Sequence, residues 1–192
     1  MHDHPVIEAL LTRNSSSRLT DPAPVGADRE AIFRAALRAP DHARLRPWRF
    51  LVVEGEARAW LGEVGVRVAR AMNPELSELE ERKQRNNPLR APLVVVVLAR
   101  IEQSPKVPEV EQLLSAGCAT HAMLIAAQAL GYGGVWRTGG IAYRPEMHAA
   151  LGLHEDERVV GFLYLGTPDG PPKPLPSLEP GDFFSSWDGG EG

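Results

Sequence analysis

The run Leu93-Val94-Val95-Val96-Val97-Leu98-Ala99, entered through Pro92, narrows the fold more than any other stretch of this chain. Its β-branched residues favour extended backbone. It does not alternate with polar residues, so neither face meets water and the spacing predicts a strand covered on both sides. Such a strand needs other elements above and below it, and the chain supplies one. Residues 112–136 contain no Asp, Glu, Lys or Arg. Ser115, Gly117, Thr120, His121 and Gln128 interrupt that segment, and its longest strictly apolar run is residues 122–127. A bilayer crossing needs about 20 predominantly apolar residues in a row. The segment is therefore predicted as a buried helix over residues 110–130, stopped by Gly131.

The remaining pattern surrounds this pair. A short helix is expected over residues 5–12, with Pro5 suited to its first turn, then a polar loop over residues 13–18. Pro22, Pro24 and Gly26 mark a connector. Asp28 is expected to N-cap the next helix, whose apolar Ile32, Ala35, Ala36 and Ala39 recur at helical spacing. That helix must end before Pro40, since the residue preceding a proline avoids the α region. A strand follows at residues 49–54, a helix at 57–71, and a charged helix or lid at 75–85, read as solvated. A short strand or loop over residues 133–136, a short helix over 145–151 and a second buried strand over 159–166 complete the order. Strands and helices alternate too irregularly for a dinucleotide-binding unit, so the expected class is α+β, a sheet wrapped by helices.

At 192 residues the chain is expected to form one domain, frayed over residues 1–4. Beyond Thr167 it becomes rich in proline and glycine yet carries Phe183, Phe184 and Trp187. Three aromatics rarely sit in a free tail, so residues 168–192 are read as an arm that covers a second subunit.

Hydrophobic residues make up 43% and charged residues 24%, as in ordinary soluble proteins. A net charge of −4 argues against nucleic acid, whose phosphates need a basic face. The single cysteine, Cys118, excludes an internal disulfide and any Cys-x-x-Cys site. It suits a reducing cytoplasm, as does an N-terminus without a basic-then-apolar leader.

Several chemistries fail on context. Cys118 lies in an apolar helix with nothing to lower its pKa and is read as an inert core thiol. His121, in the same helix, is read as a buried neutral histidine, and His148 and His154 as surface residues. His2-Asp3-His4 lacks the spacing of a metal site. Ser15, Ser16 and Ser17 lie in no Gly-x-Ser-x-Gly elbow, and Gly131-Tyr132-Gly133-Gly134 lacks the G-x-G-x-x-G spacing and follows a helix.

The cations point elsewhere. Arg13 and Arg38 each close a helix, and His42 and Arg137 sit in turns shaped by proline or glycine. A lone arginine at a helix end is most simply a dipole partner. Four basic groups with Trp136, Thr138 and the flexible Gly139-Gly140 suit a phosphate joined to a flat ring. A hydrogen bond to a charged group is worth about 1.5–3 kcal/mol, so three or four would hold a dianionic phosphate firmly.

With these blocks in order, the sequence resembles the nitroreductase family of FMN-dependent enzymes. The resemblance rests on Leu10-Leu11, Arg13-Asn14-Ser15-Ser16-Ser17-Arg18-Leu19, Arg38-Ala39-Pro40-Asp41-His42 with Pro47-Trp48, and Arg90-Ala91-Pro92-Leu93. Ser115-Ala116-Gly117-Cys118-Ala119, residues 131–139 and Val160-Gly161-Phe162-Leu163-Tyr164-Leu165-Gly166-Thr167-Pro168 extend it along nearly the whole chain. It implies a central, mostly antiparallel sheet surrounded by helices, in an intertwined homodimer with FMN at the interface. It implies that Arg13, Asn14, Ser15, Ser17, Trp136, Arg137 and Thr138 face FMN from one subunit, and that Arg38 and His42 reach it from the other. NADH or NADPH is the implied donor, placed near Ala126 and Gly131, and nitroaromatic or quinone-like small molecules are the implied acceptors. The chain departs from the family pattern where Asn14 replaces a base, where Ser17 replaces a lysine near flavin N1 and O2, and where only Lys173 stands for a C-terminal phosphate-binding arginine. No general acid or base is nominated. The Ser17 substitution keeps open a flavin-binding or flavin-handling protein with little turnover, and a Cys118- or Ser-dependent hydrolase is the unrelated rival.

Overall fold

The computed structural model describes residues 4–187 and residue 189. The fraying expected at Met1, His2 and Asp3, and the last residues of the expected arm, lie outside the described residues. Helix α1 spans Pro5–Leu11 and β1 is the two-residue Leu19–Thr20. Helix α2 is Gly26–Ala36, β2 Trp48–Glu54, α3 Ala57–Met72 and α4 Glu78–Asn86. Then come β3 Leu93–Arg100, α5 Glu109–Ala129, β4 Gly133–Arg137, α6 Pro145–Ala150 and β5 Glu157–Pro168.

The sheet is antiparallel at every pairing, with β3 between β2 and β5. The other edge of the twelve-residue β5 pairs with β4 and then with β1. This is the α+β architecture that the sequence predicts. Seven of the eight residues of β3 are buried, because its odd and even side chains enter two different cores. Leu93, Val95, Val97 and Ala99 pack with Ile32 and Ala36 of α2 and with Ala116, Ala119, Met123 and Ala127 of α5. Val94, Val96 and Leu98 pack with Leu61 and Val68 of α3 and with Met147 of α6. A strand inside a helix–sheet–helix sandwich has no face to give to polar residues, which is why its sequence does not alternate.

A β-bulge interrupts the register between β3 and β5: Val97 pairs with Gly161 but Leu98 with Val159, leaving Val160 as the extra residue. The bulge inverts the phase of β5, so Val159 and Phe162 share one core. No periodicity rule finds it.

Four local expectations are corrected. Asp28 does not cap α2: the helix begins at Gly26 with Val25 at its N-cap, and the Asp28 carboxylate instead accepts from the Tyr132 hydroxyl at 2.9 Å. Cys118 is exposed rather than an inert core thiol. His121 is exposed too. A charge-free helix reads as buried all round, yet only one stripe of α5 meets the sheet, while Val110 and Leu114 are 59% and 64% exposed. His148 is half-buried, its ring 3.2 Å from the Ala142 carbonyl, and only His154 lies open as expected. The charged segment is a solvated helix with a full capping box: the Ser77 hydroxyl accepts from the Glu80 N–H while the Glu80 carboxylate accepts from the Ser77 N–H.

Candidate functional site

Helix α5 organises the site from both of its ends. At its C-terminus, Gly131 takes φ +86°, a left-handed conformation open to glycine, and turns the chain into β4. The loop of residues 12–18 crosses this end. The Gln128 side-chain oxygen accepts from the Asn14 N–H at 3.0 Å, and its amide donates to the Thr12 hydroxyl at 3.0 Å. The Ser16 N–H donates to the Gly134 carbonyl at 3.0 Å. Gln128 stands out in the sequence only as a polar break in an apolar helix, and here it is the buckle that fixes the loop.

Between this loop, residues 131–134 and residues 168–175 lies a cavity of about 730 Å³. That volume is in the range of small-molecule and cofactor sites. Asn14, Ser15, Ser17 and Gly131 line it, together with Ser16, Arg18, Tyr132 and Lys173. Asn14 is committed to structure: its amide donates to the Lys173 carbonyl at 2.6 Å, and its side-chain oxygen accepts from the Ser15 N–H at 2.9 Å. The residue that departs from the family pattern thus ties the root of the C-terminal arm to the loop. Nothing in the spacing of residues 14 and 173 announces that contact.

Among the described residues Arg13 reaches only the Ser15 hydroxyl, at 3.4 Å. Among the described residues Arg13, Arg18, Arg38 and Arg137 have no carboxylate partner, whereas Arg29, Arg49, Arg70 and Arg85 are all paired. Of the first four, Arg18 lines the large cavity, as does Lys173, and unpaired cations there fit an anionic ligand such as a phosphate.

Trp136 is held edge-on by the bulge. Its indole N–H donates to the Val160 carbonyl at 3.3 Å, and a Cβ on Gly161 would lie 2.2 Å from that nitrogen. The bulge therefore frees a carbonyl and the glycine leaves room for the ring that takes it. Arg137 and Thr138 do not line the large cavity. They open on a smaller one of about 80 Å³ with Gln84, Asn87 and Tyr164. Burial raises the Tyr164 hydroxyl above its ordinary value, opposed by Arg137 and Arg90. Ala126 packs against the core and Gly131 lines the large cavity, so the two positions that the resemblance assigns to the nicotinamide have different surroundings.

Arg38 and His42 are elsewhere. Arg38 is exposed just past α2, and the His42 ring lies 2.7 Å from the Glu111 carboxylate at the N-terminal end of α5. Glu111 and Gln128 are seventeen positions apart on one continuous helix. At the helical rise this is about 25 Å, beyond what side chains at either end can bridge. One chain therefore places the Arg13 loop and His42 at opposite ends of α5.

Among the described residues no group of three His, Cys, Asp or Glu is placed to hold a metal ion, and no helix is long and apolar enough to cross a membrane.

The family model described as Nitroreductase family matches residues 10–167. The chain is 46% identical over 162 residues to the Escherichia coli K12 protein named "Putative NAD(P)H nitroreductase YdjA", covering 84% of this chain and 87% of that protein. The crystal structure of a nitroreductase-like family protein from Bacillus cereus superposes with a TM-score of 0.82 at 22% identity, over 98% of this chain and 99% of that one. A nitroreductase from Bacteroides fragilis, solved with bound FMN, superposes with a TM-score of 0.74 at 23% identity, over 97% and 100%.

Proposed function

The chain belongs to the nitroreductase family, and on that premise we propose that it is an FMN-dependent oxidoreductase working as a cytoplasmic homodimer, with residues 1–192 forming one domain per subunit. The observation that carries this reading is a cavity of about 730 Å³ at the C-terminal end of α5 with Arg18 and Lys173, unpaired among the described residues, in its lining, while His42 stands at the opposite end of that helix. An FMN phosphate needs cations that are not already neutralised, and Arg13, Arg18 and Lys173 offer them on one side. Arg38 and His42 of the partner subunit offer them on the other, which removes the 25 Å problem.

FMN held there would supply the two-electron chemistry that links NADH or NADPH to a nitroaromatic or quinone-like acceptor in two half-reactions. The chain binds and orients. Ser15 and Ser17 present hydroxyls to the cavity, the Trp136 ring presents a half-open apolar face, and the backbone of residues 137–138 lies beside it. The turn at Gly131 is the position assigned to the nicotinamide. Fixed cations and backbone dipoles stabilise negative charge without reorganising, which is how such sites lower barriers. No side chain is assigned proton transfer.

The test is direct. Purified protein should be yellow, and anaerobic mixing with excess NADH or NADPH should bleach it within seconds. Double-reciprocal plots with a quinone should be parallel, and intersecting lines would discard the two-half-reaction scheme. Ser17, lining the cavity where relatives carry a base, favours the second reading of a flavin-handling protein. Flavin that stays oxidised for many minutes would select it.

Three observations support the dimer. The exposed stripe of α5 includes Val110, Leu114, Cys118 and His121. The outer edge of β2 has no neighbouring strand among the described residues, and open edges are usually covered. Phe183, Phe184 and Trp187 are 69%, 80% and 90% exposed, as expected of an arm whose partner is another subunit. Removing residues 176–192 should lower melting temperature and flavin content together, leaving the Asn14–Lys173 contact intact. A truncated protein that stays dimeric and fully yellow would refute the arm's role.

A further inference from the structure

The turn that carries His42 is costly to build. Ala43, Arg44 and Arg46 take φ of 59°, 58° and 51°, all left-handed and none of them glycine. Asp41 closes the turn by accepting the Arg46 N–H at 2.9 Å, but its other carboxylate oxygen is buried with no partner among the described residues. Side chains with a Cβ avoid this backbone region, and such outliers persist only where surrounding contacts hold them. Those contacts come from the first turns of α5. The Ser115 hydroxyl donates to the Pro40 carbonyl at 2.5 Å, and the Glu111 carboxylate lies 2.7 Å from His42 Nδ1.

Stability does not account for that last contact. Both side chains are about half exposed, and exposed pairs contribute little to folding. What the contact does fix is direction. With Nδ1 held by Glu111, the ring cannot swivel, and Nε2 has no partner among the described residues.

We infer that Glu111 is a positioning residue, which holds His42 so that its Nε2 is presented to the FMN gripped by the partner subunit. The inference rests on the two-subunit reading above and deepens it. Glu111 touches no cofactor itself and acts only through the imidazole. It belongs to the turn of one chain and serves the cavity of the other, so α5 positions groups in both sites of the dimer.

The experiment is a double-mutant cycle on FMN affinity, measured by fluorescence quenching as apoprotein is titrated with FMN. Glu111→Ala should weaken binding on the order of tenfold, as expected when an oriented hydrogen bond to a charged ligand is lost. The melting temperature of the apoprotein and its dimeric state should not change. Glu111→Gln should restore most of the affinity, since its amide oxygen still accepts from Nδ1–H. In a His42→Ala background, Glu111→Ala should have almost no further effect, because the group it orients is gone. Independent, additive losses would overturn the positioning role, as would full affinity in Glu111→Ala beside a weak His42→Ala. Wild-type protein that fails to take up FMN would instead bring down the parent reading, and this inference with it.

Discussion

Mixed dimers assembled from Arg13→Ala chains and Arg38→Ala chains should recover about half of the flavin that either homodimer loses. Each substitution removes a charge-assisted contact of about 1.5–3 kcal/mol, enough to weaken FMN binding by roughly one to two orders of magnitude. If the two arginines serve one cofactor from opposite subunits, the mixed dimer contains one site lacking both and one site lacking neither. If instead they serve the cofactor from the same chain, every site lacks one arginine and nothing is recovered. The outcome depends only on whether a group at one end of α5 can meet a group at the other, and the 21-residue helix keeps them apart within a chain. Co-expression with two affinity tags isolates the mixed species, and the ratio of absorbance at 450 nm to that at 280 nm reads the flavin.

The second large effect concerns the fold. Glu157, at the start of β5, has a side chain with no exposed surface and holds Arg49 through two hydrogen bonds, of 2.6 and 2.7 Å. The same carboxylate accepts the His154 N–H at 3.0 Å. The Arg49 hydrogen bond, foremost, keeps the carboxyl below its ordinary value of 4.5, while burial works against it. Removing one partner of such a pair strands the other, at a cost of about 3–5 kcal/mol. Glu157→Ala should therefore lower the melting temperature by roughly 10 °C, whereas Glu157→Leu combined with Arg49→Met should recover much of the loss. The pH dependence follows from the sign. A carboxyl depressed in the folded state adds stability in full above its unfolded value near 4.5, and loses that contribution as pH falls through the lower folded value. Wild type should thus lose stability below about pH 4.5 more steeply than Glu157→Leu/Arg49→Met. Calorimetry at a series of pH values tests this, and parallel curves for the two proteins would refute it.

Family membership, the α+β class and most elements could be read from the residues alone. A strand buried on both faces cannot alternate, and residues 93–99 do not. A helix stopped by glycine should end near residue 130, and α5 ends at Ala129. The cationic turns at residues 13–18 and 38–42 were recognisable because polar groups that do not serve a core tend to serve a ligand. What the residues could not reveal was partnership across distance. Asn14 with Lys173, Gln128 with the loop of residues 12–18, and Trp136 with the bulged Val160 are long-range hydrogen bonds that no local pattern encodes.

The misread positions have the same origin. Cys118 and His121 were assigned to the interior because their helix lacks charge, but hydrophobic composition does not say which side of a helix is covered. Covering is decided by the neighbours, and the sheet covers only one stripe of α5. The letters of this chain were enough to set its elements and chemical class, since propensity, periodicity and turn chemistry act over a few residues. How far apart the basic groups lie was decided only by the tertiary structure, in which a continuous helix sets the Arg13 loop and the His42 turn at ends about 25 Å apart.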